Sequence, residues 1–189
     1  TSVDTTGETP MFSWSANETF VVLEQTDALA EANSVIYEKV DEKASITAAF
    51  TANAGHSEYQ YVTVYPATGY VEATSIEKAT RSLPATQTMV GESYGPTADL
   101  MVSRVVTTVA QPTEAQQVQF TRLAAVVKMT LKGLDLEAGD SVEKVIFTAE
   151  GKSLAGTITT DLALPHAFTV AEGVSSVSVA TTSNTDVYF

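Results

Sequence analysis

The residues able to do chemistry are few and scattered. The chain has two histidines, His56 and His166, and no cysteine. His56 follows Asn53-Ala54-Gly55 and His166 follows Pro165, so each reads as a surface histidine in a loop. The sequence carries no H-x-x-x-H metal pair, no G-x-S-x-G elbow and no glycine-rich phosphate loop. The absence of cysteine excludes a disulfide scaffold, a thiolate metal site and a cysteine nucleophile. Asp135-Leu136-Glu137-Ala138-Gly139-Asp140 gathers acids in one turn. Calcium takes roughly six to eight oxygen ligands, so this stretch alone falls short and reads as a polar turn. Carboxylates are plentiful, yet nothing marks a particular pair for glycoside hydrolysis. Tyr59, Tyr61 and Tyr65 share one parity and so one face of a strand. Exposed, such a row would stack on sugars; half-buried, it would edge a core with its hydroxyls at the rim. Asn17-Glu18-Thr19 fits a glycosylation sequon, which matters only in a eukaryotic secretory path. The reading assigns no catalytic, cofactor-binding or metal-ligating residue, and the chain is expected not to be an enzyme.

Charge narrows the partners. Twenty-three acids against ten bases give a formal net charge of −13. Such a surface repels phosphate, so nucleic acid and anionic membranes are poor partners, while solubility is favoured. With 189 residues, 44% hydrophobic and 17% charged, the composition is that of an ordinary globular chain. A chain of this length buries roughly 70% of its unfolded surface and needs neither metal nor disulfide to be stable. No apolar stretch approaches the roughly 18 residues of a membrane span. The chain begins at Thr1 without an initiator methionine, and the expectation is that something upstream was removed.

The elements that would position any site are strands. Residues 1–10 are polar and threonine-rich and read as a flexible tether, followed by a β-sandwich domain over residues 11–185. Trp14 is expected in the core near the chain's entry. Phe20-Val21-Val22-Leu23 is an apolar run suited to a buried strand. Thr26 to Asn33 is the one helical temptation: Thr26 suits an N-cap, alanine favours helix, and at most two turns are expected. Ala44, Ile46, Ala48 and Phe50 alternate, as do Tyr59 to Tyr65, a run that Pro66 ends. Leu83-Pro84 must be extended and is placed at a sheet edge. Leu100 to Val109 reads as a further strand. Val118 to Leu131 carries the longest β signal, and its Leu123–Leu131 portion is expected to be central and buried. Its apolar parity changes near Thr121-Arg122, as one extra residue at a bulge would make it do. Shorter strands follow, punctuated by Gly151, Gly156, Pro165 and Gly173. Many short strands with little helix indicate an all-β, antiparallel sandwich or barrel. Residues 186–189 look like the start of a further strand or second domain.

Several segments together resemble the fimbrillin-like family of Bacteroidales, the subunits of type V pili. They are Val118-Gln119-Phe120-Thr121-Arg122-Leu123-Ala124-Ala125-Val126-Val127-Lys128, Tyr61-Val62-Thr63-Val64-Tyr65-Pro66, Leu83-Pro84-Ala85-Thr86-Gln87, Leu100-Met101-Val102, Gly151 to Gly156 and Val187-Tyr188-Phe189. The resemblance runs in order from about Phe12 to the end, and its motifs are structural, so no active site carries over. It implies a transthyretin-like, Greek-key sandwich in an exported lipoprotein at the outer surface, usually followed by a second β domain. It implies a fimbrial subunit whose partners are other subunits, joined by strand exchange, with host or bacterial surface ligands besides. Its contact with membrane would be a lipid anchor upstream of Thr1. The family's maturation cut follows a basic residue, yet none precedes Lys39. The alternative is a secreted carbohydrate-binding sandwich module, for which the tyrosine row is the support.

Overall fold

A computed structural model describes residues 2–5, 11–14, 19–25, 29–36, 38–40, 43–45, 59–67, 70–71, 78–103, 106–108, 118–162 and 167–189. The protein is all-β, with one 3-10 turn at Pro96–Ala98 among the described residues. His56, His166 and the Asn17-Glu18 part of the sequon lie outside the described residues, as do Ile46 to Phe50 and Thr26 to Ala28.

The apolar run at Phe20 has no polar face, so it belongs in a sheet covered on both sides. It lies in β3 (Thr19–Gln25), between β4 (Leu29–Ile36) and β7 (Tyr59–Tyr65). The far edge of β7 carries β11 (Met101–Ser103) and β12 (Val106–Thr108), and β13 (Phe120–Arg122) closes that end against β11. Every pairing in this sheet is antiparallel. The helix expected over Thr26–Asn33 is corrected: Leu29 to Asn33 fall inside β4, in register with β3 from Gln25↔Leu29 onward. Alanine's helical preference is a weak prior, and a ladder along a buried strand overrides it.

The second sheet is β17-β16-β9-β8, made of β8 (Tyr70–Val71), β9 (Lys78–Leu83), β16 (Ala155–Asp161) and β17 (Phe168–Val174). β9 is an inner strand, not the edge expected of Leu83-Pro84. Pro84 sits just past its last ladder residue and removes no sheet bond. The two sheets meet through Val21, Leu23, Val62, Val64 and Val102 on one side and Ala79 and Ile158 on the other, with Leu100, Leu123 and Leu162 filling between. Full burial of one such side chain contributes about 1.5–3 kcal/mol. The opposite parity of the first sheet is also covered. Phe20, Val22, Tyr61, Tyr65 and Met101 form a second cluster under Trp14 and Phe120. Trp14 meets Tyr65 edge-on at 5.2 Å between centroids.

Two-sided burial explains the parity change near Thr121-Arg122. β13 pairs regularly with β11, placing Phe120 in the outer cluster and Leu123 in the inner core, with no bulge. The strand then ends. The next, β14 (Lys128–Thr130), belongs to a separate ribbon with β19 (Asp186–Tyr188). The single central strand expected over Leu123–Leu131 is therefore two short strands joined by an open stretch, and Val127 is 41% exposed. Residues 186–188 form a strand that closes on β14 within this chain. A third sheet orders β10 (Thr86–Thr88), β18 (Ser176–Ala180) and β15 (Lys144–Thr148) side by side. Val177 and Val179 pack with Ala155 and Val187 in a further core edged by Leu131, Phe147 and Phe189. β5 (Glu38–Val40) and β6 (Lys43–Ser45) form a ribbon of their own.

Within the expected tether, Ser2–Asp4 is a strand, β1, paired with β2 (Met11–Ser13). Val3 is the reason: it is buried against Tyr94 and Tyr188, and its amide donates to Ser93 Oγ at 3.1 Å.

Candidate functional site

The described residues leave one side of the sandwich open. Among the described residues, β17 is an edge strand that pairs with β16 alone. Residues directly opposite in a ladder point to the same face, so Val170, facing Ile158, and Phe168, facing Thr160, look inward. Ile158 is buried there, but Val170 is 38% and Phe168 48% exposed. β17 also carries a bulge. Glu172 and Gly173 together oppose Gly156, and Glu172 takes a left-handed backbone with φ 52°. A bulge bends its strand and strengthens its twist, which turns this edge from its neighbours.

The opposing wall is the stretch between β13 and β14. Leu123, Ala125 and Val127 face the gap, with Phe189 beyond them and Leu83, Ala98 and Ala155 at the floor. Together these residues bound an apolar groove of about 250 Å³. Among the described residues, Ala124, Ala125 and Val126 enter no main-chain hydrogen bond. Val127 exchanges two with Phe189, at 2.7 and 3.1 Å, and so fixes the far end of the wall. Among the described residues, only Gln87 and Ser153 bring polar side chains to the lining. An apolar slot with β17 side chains on one wall and, among the described residues, unbonded main chain on the other has the form of a site for an extended peptide.

Two polar clusters flank it. Arg122 grips Asp99 through Nε and Nη2 at 2.8 and 3.2 Å, and the Tyr94 hydroxyl donates to Asp99 at 3.1 Å. Burial works to lower the Arg122 pKa, but hydrogen bonding to Asp99 and its charge outweigh burial and raise it. Phe12 stacks on the same guanidinium at 3.8 Å, tying the β1–β2 hairpin to the body. On the β14–β19 ribbon, Lys128 pairs with Asp186 at 3.0 Å, and Thr130 donates to Asp186 at 2.7 Å. The Thr130 hydroxyl, then Lys128, hold the Asp186 carboxyl below its ordinary value; Asp186 in turn raises Lys128. Both clusters are structural ties between neighbouring elements.

The chemistry considered from sequence is placed as follows. Asp135, Glu137 and Asp140 lie on an exposed turn, where Asp140 accepts from the Glu137 amide at 3.2 Å. No group of acids and histidines able to hold a metal occurs among the described residues. Two members of the tyrosine row turn inward: Tyr61 is 7% and Tyr65 1% exposed, so neither ring offers a face to a sugar, and the Tyr59 side chain lies outside the description. Sequence reasoning missed the groove residues Phe168 and Val170 as a site, because alternating apolar residues read the same under a covering sheet and beside a gap. Among the described residues no helix is long and apolar enough to cross a membrane. No family model, curated protein or solved structure matches the chain.

Proposed function

We propose that this chain is a structural or adhesive subunit of a bacterial cell-surface fimbria, whose apolar groove receives an extended strand from a neighbouring subunit. The observation that carries the reading is the gap itself. Phe168 and Val170 stand partly exposed on one wall, and Ala124 to Val126 present main chain that is unpaired among the described residues on the other. A strand laid in the gap would cover the apolar side chains and satisfy the main chain in one step. The ordered resemblance to fimbrillin-like subunits supports the same reading, and the transthyretin-like connectivity and surface anchoring form part of it. The acidic surface suits a protein that stays soluble until assembled. The burial of Tyr61 and Tyr65 favours this reading over the sugar-binding alternative.

The test is made on the full-length precursor, produced with its signal sequence in a Bacteroidales host. Surface fractions are immunoblotted before and after boiling, with and without protease treatment of the cells. A ladder that collapses to monomer on boiling is the expected result. A single surface band under all conditions refutes a polymerising subunit.

A further inference from the structure

Each of the seven residues of β17 is exposed. Its edge away from β16 carries main-chain donors and acceptors. The Asp161 amide donates to the Ala167 carbonyl at 3.0 Å, and the antiparallel ladder alternates from there. The N–H and C=O of Phe168 and Val170 therefore point away from β16, and among the described residues they find no partner. Open edges of this kind pair with other chains, and proteins blunt them with proline, lysine, a covering element or a bulge. β17 has no proline and no lysine, and all of it is exposed. It does have the bulge, and the bulge is held against strain. Among the described residues Glu172 is the one non-glycine with positive φ, at 52°, where a side chain crowds the backbone. Gly156, opposite, has φ 144°, and a Cβ there would lie 2.8 Å from the Ala171 carbonyl oxygen. A Cβ on Gly173 would collide with the Ser153 side chain. Strain gathered at one place marks a backbone shape that has a use.

We infer that the bulge at Glu172-Gly173 is the device that keeps two copies of this chain from pairing β17 to β17. Such a contact is isologous, so its two-fold axis passes near the middle of the strand, at Ala171. The extra residue of each copy would fall inside the shared ladder and break it, so that no run longer than Phe168 to Ala171 stays in line. The two Glu172 carboxylates would also come together near the axis, in a chain of net charge −13. The device acts on the main-chain edge of β17 and does not depend on whether the groove takes a strand.

The test uses the whole chain, with its monomer–dimer balance read by sedimentation velocity at micromolar concentration. Deleting Glu172 lets each residue of β17 oppose one of β16. Glu172→Gly keeps the bulge and removes both the strain and the charge. Wild type and Glu172→Gly should stay monomeric, and the deletion should dimerise at least about tenfold more tightly than wild type. Adding Val170→Pro to the deletion removes an N–H from the open edge and none from the β16 ladder, and should return it to monomer. A folded deletion that stays monomeric overturns the inference, as does a dimer that survives Val170→Pro. Dimerisation of Glu172→Gly would mean that charge, not the bulge, holds the copies apart, and overturns it too. Amide exchange at Phe168 and Val170 in the wild type tests the same point even if the deletion fails to fold. The expected exchange is fast and the same from micromolar to millimolar concentration. Protection that grows with concentration would mean that the bulged edge already pairs with a second copy, and overturns the inference.

Discussion

Replacing Val127 by aspartate separates an open groove from a closed core. Val127 keeps 41% of its surface in water, so it has given up little more than half of what a core valine gives up. At roughly 25 cal/mol per Å² of apolar surface, losing that contact costs about 1 kcal/mol, and an aspartate there retains water. With a urea slope of about 2 kcal/mol/M for a chain of this size, the unfolding midpoint falls by about 0.5 M. Val64→Asp is the comparison. Val64 is fully buried between the two sheets, and a carboxylate there has no partner and no water. The cost is at least about 5 kcal/mol, most of the stability of an ordinary domain. Urea denaturation followed by far-UV circular dichroism reads both. The expected outcome is a cooperative transition for Val127→Asp and none for Val64→Asp. Loss of the transition in Val127→Asp would mean that residues 123–131 form a covered central strand, and the groove would not exist.

Other outcomes follow from the same geometry. Arg122→Ala takes the guanidinium from the Asp99 carboxylate, whose side chain is 1% exposed, and should destabilise by about 3 kcal/mol in the same urea assay. Tyr65→Ala should cost about 3 kcal/mol or more, with loss of near-UV dichroism from the Trp14 contact, because Tyr65 is a core residue. The β14–β19 ribbon should have a pH window. The Asp186 pKa lies below its ordinary 3.8, so its contribution is present above that value and disappears as pH falls through the lowered one. The Lys128 pKa lies above its ordinary 10.5, so its contribution is present below that value and disappears as pH rises through the raised one. Amide exchange at Met129 and Val187, which face each other in the ribbon, should therefore quicken at both extremes. Asp186→Asn should abolish the acid arm and weaken the alkaline one, because Asp186 is also what raises Lys128.

How far the sequence reveals this fold depends on whether a residue's surroundings are local. Alternation in Tyr59–Tyr65 and the apolar run at Phe20–Leu23 locate the two central strands, because period and composition reflect burial directly. Pro66 ends its strand as a proline must. β4 is hidden, because Leu29 to Asn33 favour helix and only the β3 ladder decides otherwise. The β1 strand is hidden for a related reason. Val3 stands alone among polar residues, and the pocket that buries it is built by Tyr94 and Tyr188, far away in sequence. The parity change at Thr121-Arg122 misleads because a sheet buried on both faces takes apolar residues at either parity. The groove is least legible of all. It consists of a missing neighbour, and Val170 has the sequence signature of a covered strand residue although it is 38% exposed.

The groove's role as a strand acceptor is tested most directly by trapping what lies in it. The chain has no cysteine, so Val170→Cys can carry a single benzophenone inside the groove. Ile146→Cys, exposed on the β15 edge and outside the groove lining, carries the same group as the control. Full-length protein labelled at either position is illuminated in surface fractions of cells that make it. The account expects a two-subunit adduct from Val170→Cys alone, with the cross-link mapping to an extended segment of the second subunit. A boiling-sensitive ladder with no adduct at Val170→Cys, or an adduct at Ile146→Cys instead, would contradict it.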